Sequence, residues 1–166
     1  MDHIRQIEAK IFGDTAAFLP QYKRWRDAGE KIVYTNGCFD LLHRGHAEVL
    51  ARAASLGDRL VVGLNSDASV ARLKGPNRPL TDQESRAWML ASLEPVAAVV
   101  IFDEDTPLAM IKTLLPDLLI KGSDYAPEAI AGYEAVIAAG GRVETVELVP
   151  GFSTTLLIEK LRLQGK

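Results

Sequence analysis

The chain has 166 residues, 48% hydrophobic and 25% charged, with a formal net charge of -3. That length suits one folded domain with its own core, and the mild acidity argues against a general nucleic-acid-binding surface, which needs a basic patch. A single cysteine, Cys38, excludes an internal disulfide and a cysteine-based metal cage within one chain. No run approaches the roughly 18 apolar residues of a membrane span, and no apolar signal segment follows the start. A cytoplasmic protein with neither nucleic acid nor membrane as partner is the expectation.

In chain order, residues 1–29 are expected as an N-terminal helical extension, the helical pattern running over 2–29 with Ile4, Ile7, Ile11 and Phe12 on one face and Pro20 and Gly29 as punctuation. That face either covers the domain's own sheet or takes part in self-association. The domain proper is expected over residues 30–166. Lys31–Thr35 is the first strand, closed by the turn signal Asn36-Gly37. A helix over 46–56 and a strand over Arg59–Leu64 follow, so strand, helix, strand favours a parallel α/β unit. A short helix and loop span Ser66–Gly75, where Ser66 and Asp67 read equally as a turn and cap. A restricted Pro76-Asn77-Arg78-Pro79 stretch comes next. Thr81 and Glu84 fit a capping box for a helix ending before Pro95.

Val96–Phe102 is the third strand. Pro107 suits the first position of a helix ending near Leu115. Leu118–Gly122 is the fourth strand, 129–139 a helix closed by Gly140-Gly141, and Val143–Leu148 the fifth strand. Ser153 caps a last helix to about Leu163. Five strands separated by helices make a small three-layer α/β domain with a mostly parallel sheet. Its ligands belong beyond the C-terminal strand ends, near a switch in strand order.

The chemistry concentrates in Gly37-Cys38-Phe39-Asp40-Leu41-Leu42-His43-Arg44-Gly45-His46. His43 and His46, three apart on a first helical turn, are neighbours on one face. Gly45 between them lets backbone approach an anion, and imidazole donors there can hold phosphate oxygens as charge moves onto a leaving group. On spacing alone the pair also fits metal ligands or plain polar residues at a helix start, although no third ligand stands at a recognised spacing. Asp40 can orient a donor, contact a substrate or cap a helix. Cys38 reads as a small buried residue rather than a nucleophile.

Near the end, Ser153, Thr154 and Thr155 precede a helix, where hydroxyls and free N–H groups hold phosphates or simply cap. Lys74, Arg78, Arg86 and Lys121 are the cationic candidates; a lysine or arginine on the rigid loop reaches a phosphate at low ordering cost. Asn65, after a strand, can shape the pocket.

The Gly37–His46 stretch resembles the signature of the nucleotidylyltransferase superfamily, whose fold is cytidylyltransferase-like and Rossmann-like. The resemblance implies that the two histidines bind phosphates and stabilise the transition state, that Gly37, Phe39, Asp40 and Gly45 help form the nucleotide site, and that pyrophosphate is released. The Ser153–Thr155 cluster resembles the second signature, but Ile158 stands where that signature has arginine. Asn36, Cys38, Val62–Val70, Arg72–Leu80, Ile120–Tyr125 and Ser153-Thr154-Thr155 narrow the resemblance to the adenylyltransferases that make ADP-heptose for lipopolysaccharide.

This branch implies ATP as co-substrate, Mg2+ with it, and D-glycero-β-D-manno-heptose 1-phosphate as acceptor. His43 and His46 are implied as catalytic groups. From their places on the rigid loop and at strand ends, Lys74 is expected to join them as a catalytic group, Lys121 to stand with the hydroxyl cluster on the nucleotide, and Asn65, Arg78 and Arg86 to stand on the substrate. The branch also implies a homodimer; in many such proteins the domain is fused to a sugar kinase, and a chain of this length is expected to be the stand-alone form, with a separate heptose kinase and phosphatase in the pathway. The α-anomer, or CTP with a polyol phosphate, is the alternative within the same chemistry; a nucleotide sensor without turnover is the alternative outside it.

Overall fold

A computed structural model describes residues 2–164; Met1, Gly165 and Lys166, at the outer ends of the two expected segments, lie outside the described residues. Six parallel strands form one sheet in the order β1-β4-β3-β2-β5-β6. They are β1 (Ile11–Phe12), β2 (Ile32–Gly37), β3 (Arg59–Asn65), β4 (Ala98–Phe102), β5 (Leu118–Gly122) and β6 (Arg142–Val146). The helices are α1 (His3–Glu8), α2 (Thr15–Asp27), α3 (Arg44–Ala54), α4 (Asp67–Lys74), α5 (Gln83–Ala91), α6 (Leu108–Leu114), α7 (Tyr133–Ala138) and α8 (Thr154–Gln164).

The central strands are apolar on both faces, as a parallel sheet covered by helices requires. Phe18, Tyr22 and Trp25 of α2, with Met110, Ile111, Leu114 and Val136 of α6 and α7, pack on one face against Ile32, Tyr34, Val61 and Leu119. Leu50, Ala53, Ala87, Leu90 and Ala91 of α3 and α5 pack on the other against Val33, Leu60, Val62 and Ile120. The result is the expected three-layer Rossmann-like sandwich. Strand order reverses on either side of β2, because β3 lies to one side of it and β5 to the other. The crevice at the C-terminal ends of β2 and β5 is therefore the place for a ligand.

Residues 2–29 differ from the helical expectation. They hold two helices separated by β1, which pairs with β4 and makes a sixth strand. Because residues 11 and 12 are extended, their side chains fall on opposite faces: Ile11 joins the α5 side with Ile7, whereas Phe12 packs on the α2 side. Ile4 remains exposed. The segment is part of the domain, and Ile7, Ile11 and Phe12 pack against the domain's own sheet. Elsewhere the boundaries shift. Asp82, not Thr81, caps α5, accepting from Ser85 N. Pro107 stands at the N-cap of α6 rather than within its first turn. The expected helix over 129–139 is a 3-10 turn at Pro127–Ala129 followed by α7, with Gly132 left-handed between them. Among the described residues no helix is long and apolar enough to cross a membrane.

Candidate active site

β2 delivers the signature segment to the crevice. The ring of Phe39 folds back over Gly37, where a Cβ would meet it at 3.1 Å, and Phe39 itself is held at φ 46. A left-handed non-glycine residue is costly unless its surroundings enforce it, so this turn is a built feature. His43 is the N-cap of α3, its side chain accepting from His46 N at 3.4 Å. The two imidazoles stack, centroids 3.8 Å apart and 21° from parallel, and Phe39 flanks His46 at 5.2 Å. Burial, with the neighbouring His43 second, pushes His46 down to about 4; burial also lowers His43. Both rings are thus neutral near pH 7.

The start of α8 lies against the start of α3. A Cβ on Gly45 would stand 3.0 Å from the His43 ring and from Phe152 Cβ, so glycine permits this approach. Phe152 stacks 6.2 Å from His43, and the Arg44 guanidinium lies over the Phe152 ring. Thr154 Oγ1 donates to Leu41 O at 3.5 Å, and Ser153 Oγ accepts from Leu156 N. Two helix N-termini thus open side by side onto one space, where their unpaired N–H groups favour an anion.

On the β5 side, Lys121 Nζ donates to Asn36 O at 3.1 Å and Asn36 Oδ1 at 3.3 Å, beneath the Tyr125 ring. Burial lowers its pKa, against the pull of Asp124 and Cys38. On the β3 side stand Asn65, Lys74 and Arg78. Asn65 Nδ2 donates to Ser69 Oγ at 3.0 Å. The Cys38 thiol is raised by burial, although Lys74, Arg86, Arg78 and Lys121 all pull the other way. A protonated thiol agrees with Cys38 as a packing residue, and Lys74, Arg78 and Lys121 line the crevice together with Asp40, Asp105 and Asp124.

A cleft of about 700 Å³ gathers Gly37, Phe39, Asp40, His43, Gly45, His46, Asn65, Lys74, Arg78, Lys121, Ser153, Thr154 and Thr155. Arg86 departs from the expectation of a substrate contact. Its side chain is 1% exposed and donates to Thr81 O, Cys38 O, Asn65 O and Asp67 Oδ1 at 2.6 to 2.9 Å. It braces the ends of β2 and β3 from inside. Asp40 does not cap α3, because His43 does; its carboxylate accepts from Arg78 Nε, Leu80 N and Thr81 N. Among the described residues no group of three His, Cys, Asp or Glu side chains is placed to hold a metal ion. Sequence reasoning missed Asn36, Tyr125 and Phe152 as cleft residues. Asn36 and Tyr125 lie within the motifs that carry the resemblance, and Phe152 lies beside the hydroxyl cluster.

Paired histidines at a helix start, at a parallel sheet's switch point, suit phosphate binding, and the family that matches the chain is one of nucleotidyltransferases. The cytidylyltransferase-like family matches residues 34–160, and the chain belongs to it. The family's substrate is a nucleoside triphosphate.

More particularly, the chain is 52% identical over 155 residues to the bifunctional protein HldE of Rhodopseudomonas palustris (strain BisB5), covering 93% of this chain and 32% of that protein. It is 57% identical over 136 residues to the bifunctional protein HldE of Syntrophotalea carbinolica, covering 82% of this chain and 28% of that one. The chain thus spans less than a third of either relative's length. A crystal structure of the lipopolysaccharide core biosynthesis protein from Thermoplasma volcanium GSS1 superposes with a TM-score of 0.60 at 30% identity, covering 73% of this chain and 98% of that one.

Proposed function

We propose that the chain is an adenylyltransferase that transfers AMP from ATP to D-glycero-β-D-manno-heptose 1-phosphate, giving ADP-heptose and pyrophosphate in the cytoplasm. The observation that carries this is the stacked His43/His46 pair set against the Ser153-Thr154-Thr155 helix start in one cleft that Lys74, Arg78 and Lys121 also line. The heptose acceptor is supported by similarity to the bifunctional HldE proteins and to a lipopolysaccharide core biosynthesis protein. A homodimer, with a heptose kinase and a phosphatase acting in the same pathway, belongs to the same proposal, on the resemblance of the loop motifs.

An oxygen of the sugar phosphate attacks the α-phosphorus. A new P–O bond forms as the bond to the bridging oxygen of the β-phosphate breaks, and pyrophosphate leaves with that electron pair. The attacking oxygen is already anionic near neutral pH, so no strong base is needed. The task is to align two anions and offset their repulsion. His43 and His46 hold the triphosphate, with the α8 start and its hydroxyls beside them. Lys121, fixed on Asn36, supplies positive charge from β5; Lys74 supplies it from the opposite wall.

Mg2+ fits as a partner of the phosphate oxygens rather than of a protein cage, since among the described residues no three His, Cys, Asp or Glu side chains converge and Asp40 is already occupied. When bound, it neutralises triphosphate charge.

A substrate panel tests the proposal: both heptose 1-phosphate anomers and glycerol phosphate, each with ATP, CTP and GTP, read by pyrophosphate release. Release with ATP and the β-anomer is the expected result. Release with CTP and glycerol phosphate alone would replace this reading by a cytidylyltransferase, and ATP binding without any release would make the protein a sensor.

A further inference from the structure

Asp40 and Arg78 form a pair to which the chemistry above gives no task. Arg78 Nε donates to Asp40 Oδ2 at 2.5 Å, and Asp40 Oδ1 accepts from Leu80 N at 2.8 Å and Thr81 N at 3.0 Å. The Asp40 side chain is 1% exposed and that of Arg78 is 20% exposed. With three donors on a buried carboxylate, Asp40 is spent on the protein. Arg78 is not: among the described residues its two terminal nitrogens donate to no protein group, and the residue lines the cleft. A guanidinium pinned at Nε is aimed. Its remaining N–H groups form a planar fork that matches two oxygens of a phosphate.

The loop carrying Arg78 is itself fixed. The peptide groups of Thr81 are held from both sides, the N–H by Asp40 and the carbonyl by Arg86. Arg86 also holds Cys38 O, so the loop and the signature segment are cross-braced as one body. A cation presented this way loses little conformational freedom on binding.

We propose that Arg78 anchors the phosphate monoester of the acceptor and that Asp40 is its positioning residue. The assignment to the acceptor rests on the reading above, in which the triphosphate occupies the α3 and α8 starts. Arg78 enters from the segment after α4, on the β3 side.

The test compares wild type with Arg78→Ala, Asp40→Asn and the double variant. Steady-state KM is measured for heptose 1-phosphate and for ATP, with calorimetric titration of inorganic phosphate alongside. Arg78→Ala is expected to raise the acceptor KM about tenfold or more and to leave the ATP KM within about twofold. Asp40→Asn keeps the size and one accepting oxygen but loses the charge, and should shift the acceptor KM in the same direction. In the Arg78→Ala background Asp40→Asn should add less than about twofold, because its effect passes through Arg78. Additive effects, or a KM shift for ATP in place of the acceptor, would overturn the proposal.

Should Asp40→Asn fail to fold, Arg78→Lys replaces it, since lysine keeps the charge and loses the fork. An acceptor KM between those of wild type and Arg78→Ala supports the aimed fork; one equal to wild type overturns it. If wild type turns over no heptose phosphate, the acceptor assignment falls separately. The phosphate titration still decides the site: weakening of at least about tenfold in Arg78→Ala supports it, and unchanged binding overturns it.

Discussion

The Tyr34 hydroxyl lies across the face of Gly63 on the neighbouring strand, so closely that no side chain fits beneath it. Tyr34 is fully buried, and among the described residues its hydroxyl has no hydrogen-bond partner. Gly63→Ala should therefore destabilise the fold by about 2–3 kcal/mol through overpacking, and Tyr34→Phe should recover part of that loss. Tyr34→Phe alone should be neutral or mildly stabilising, since it removes an unsatisfied buried hydroxyl. Urea denaturation of the three variants checks this; additive losses would show that the two residues do not share the contact.

Arg86 makes a second structural prediction. Arg86→Ala leaves three carbonyls without their donor and should cost about 3 kcal/mol or more, with activity falling as the signature segment loses its brace. Lysine offers three donors on a single nitrogen in place of a guanidinium fork, so Arg86→Lys should restore less than half of that. A denaturation midpoint unchanged in Arg86→Ala would sink the bracing role.

These two residues also show where sequence reading stopped. Five strands were legible because each is an apolar run closed by a turn signal, and the Gly37–His46 signature pointed to the cleft, although the His43/His46 spacing alone left metal ligation and plain capping open. Ile11-Phe12 has no period to read; only pairing with β4 makes it a strand. Arg86 carries a charge that composition places outside, yet carbonyls separated by dozens of residues in sequence converge on it. Asp40 was legible as important and illegible in role, since its partners Arg78, Leu80 and Thr81 lie about forty positions away.

His46→Ala should slow the chemical step by two or more orders of magnitude, as loss of a transition-state donor does, while stability changes far less. Rapid-quench single turnover at saturating substrates reads the first and thermal melting the second. A nearly unchanged single-turnover rate would remove His46 from the transition state.

The depressed His46 predicts an acid limb in stability. Its ordinary value is about 6.5 and its folded value about 4, so between them the unfolded chain binds the proton more readily. The penalty is absent above about 6.5, grows as pH falls, and is complete below about 4, at an upper bound of about 3 kcal/mol. His46→Gln should flatten that limb in urea midpoints taken between those limits. An identical pH slope in wild type and variant would contradict it.

The first turn of α3 also selects a tautomer. Because His43 Nδ1 receives the His46 backbone N–H, that nitrogen must keep its lone pair, and the proton of the neutral ring resides on Nε2. The helix start thereby leaves His43 an N–H free to donate on the side of the ring away from the cap. A base-catalysed role for His43 would require the opposite arrangement, with Nε2 bare and the cap broken.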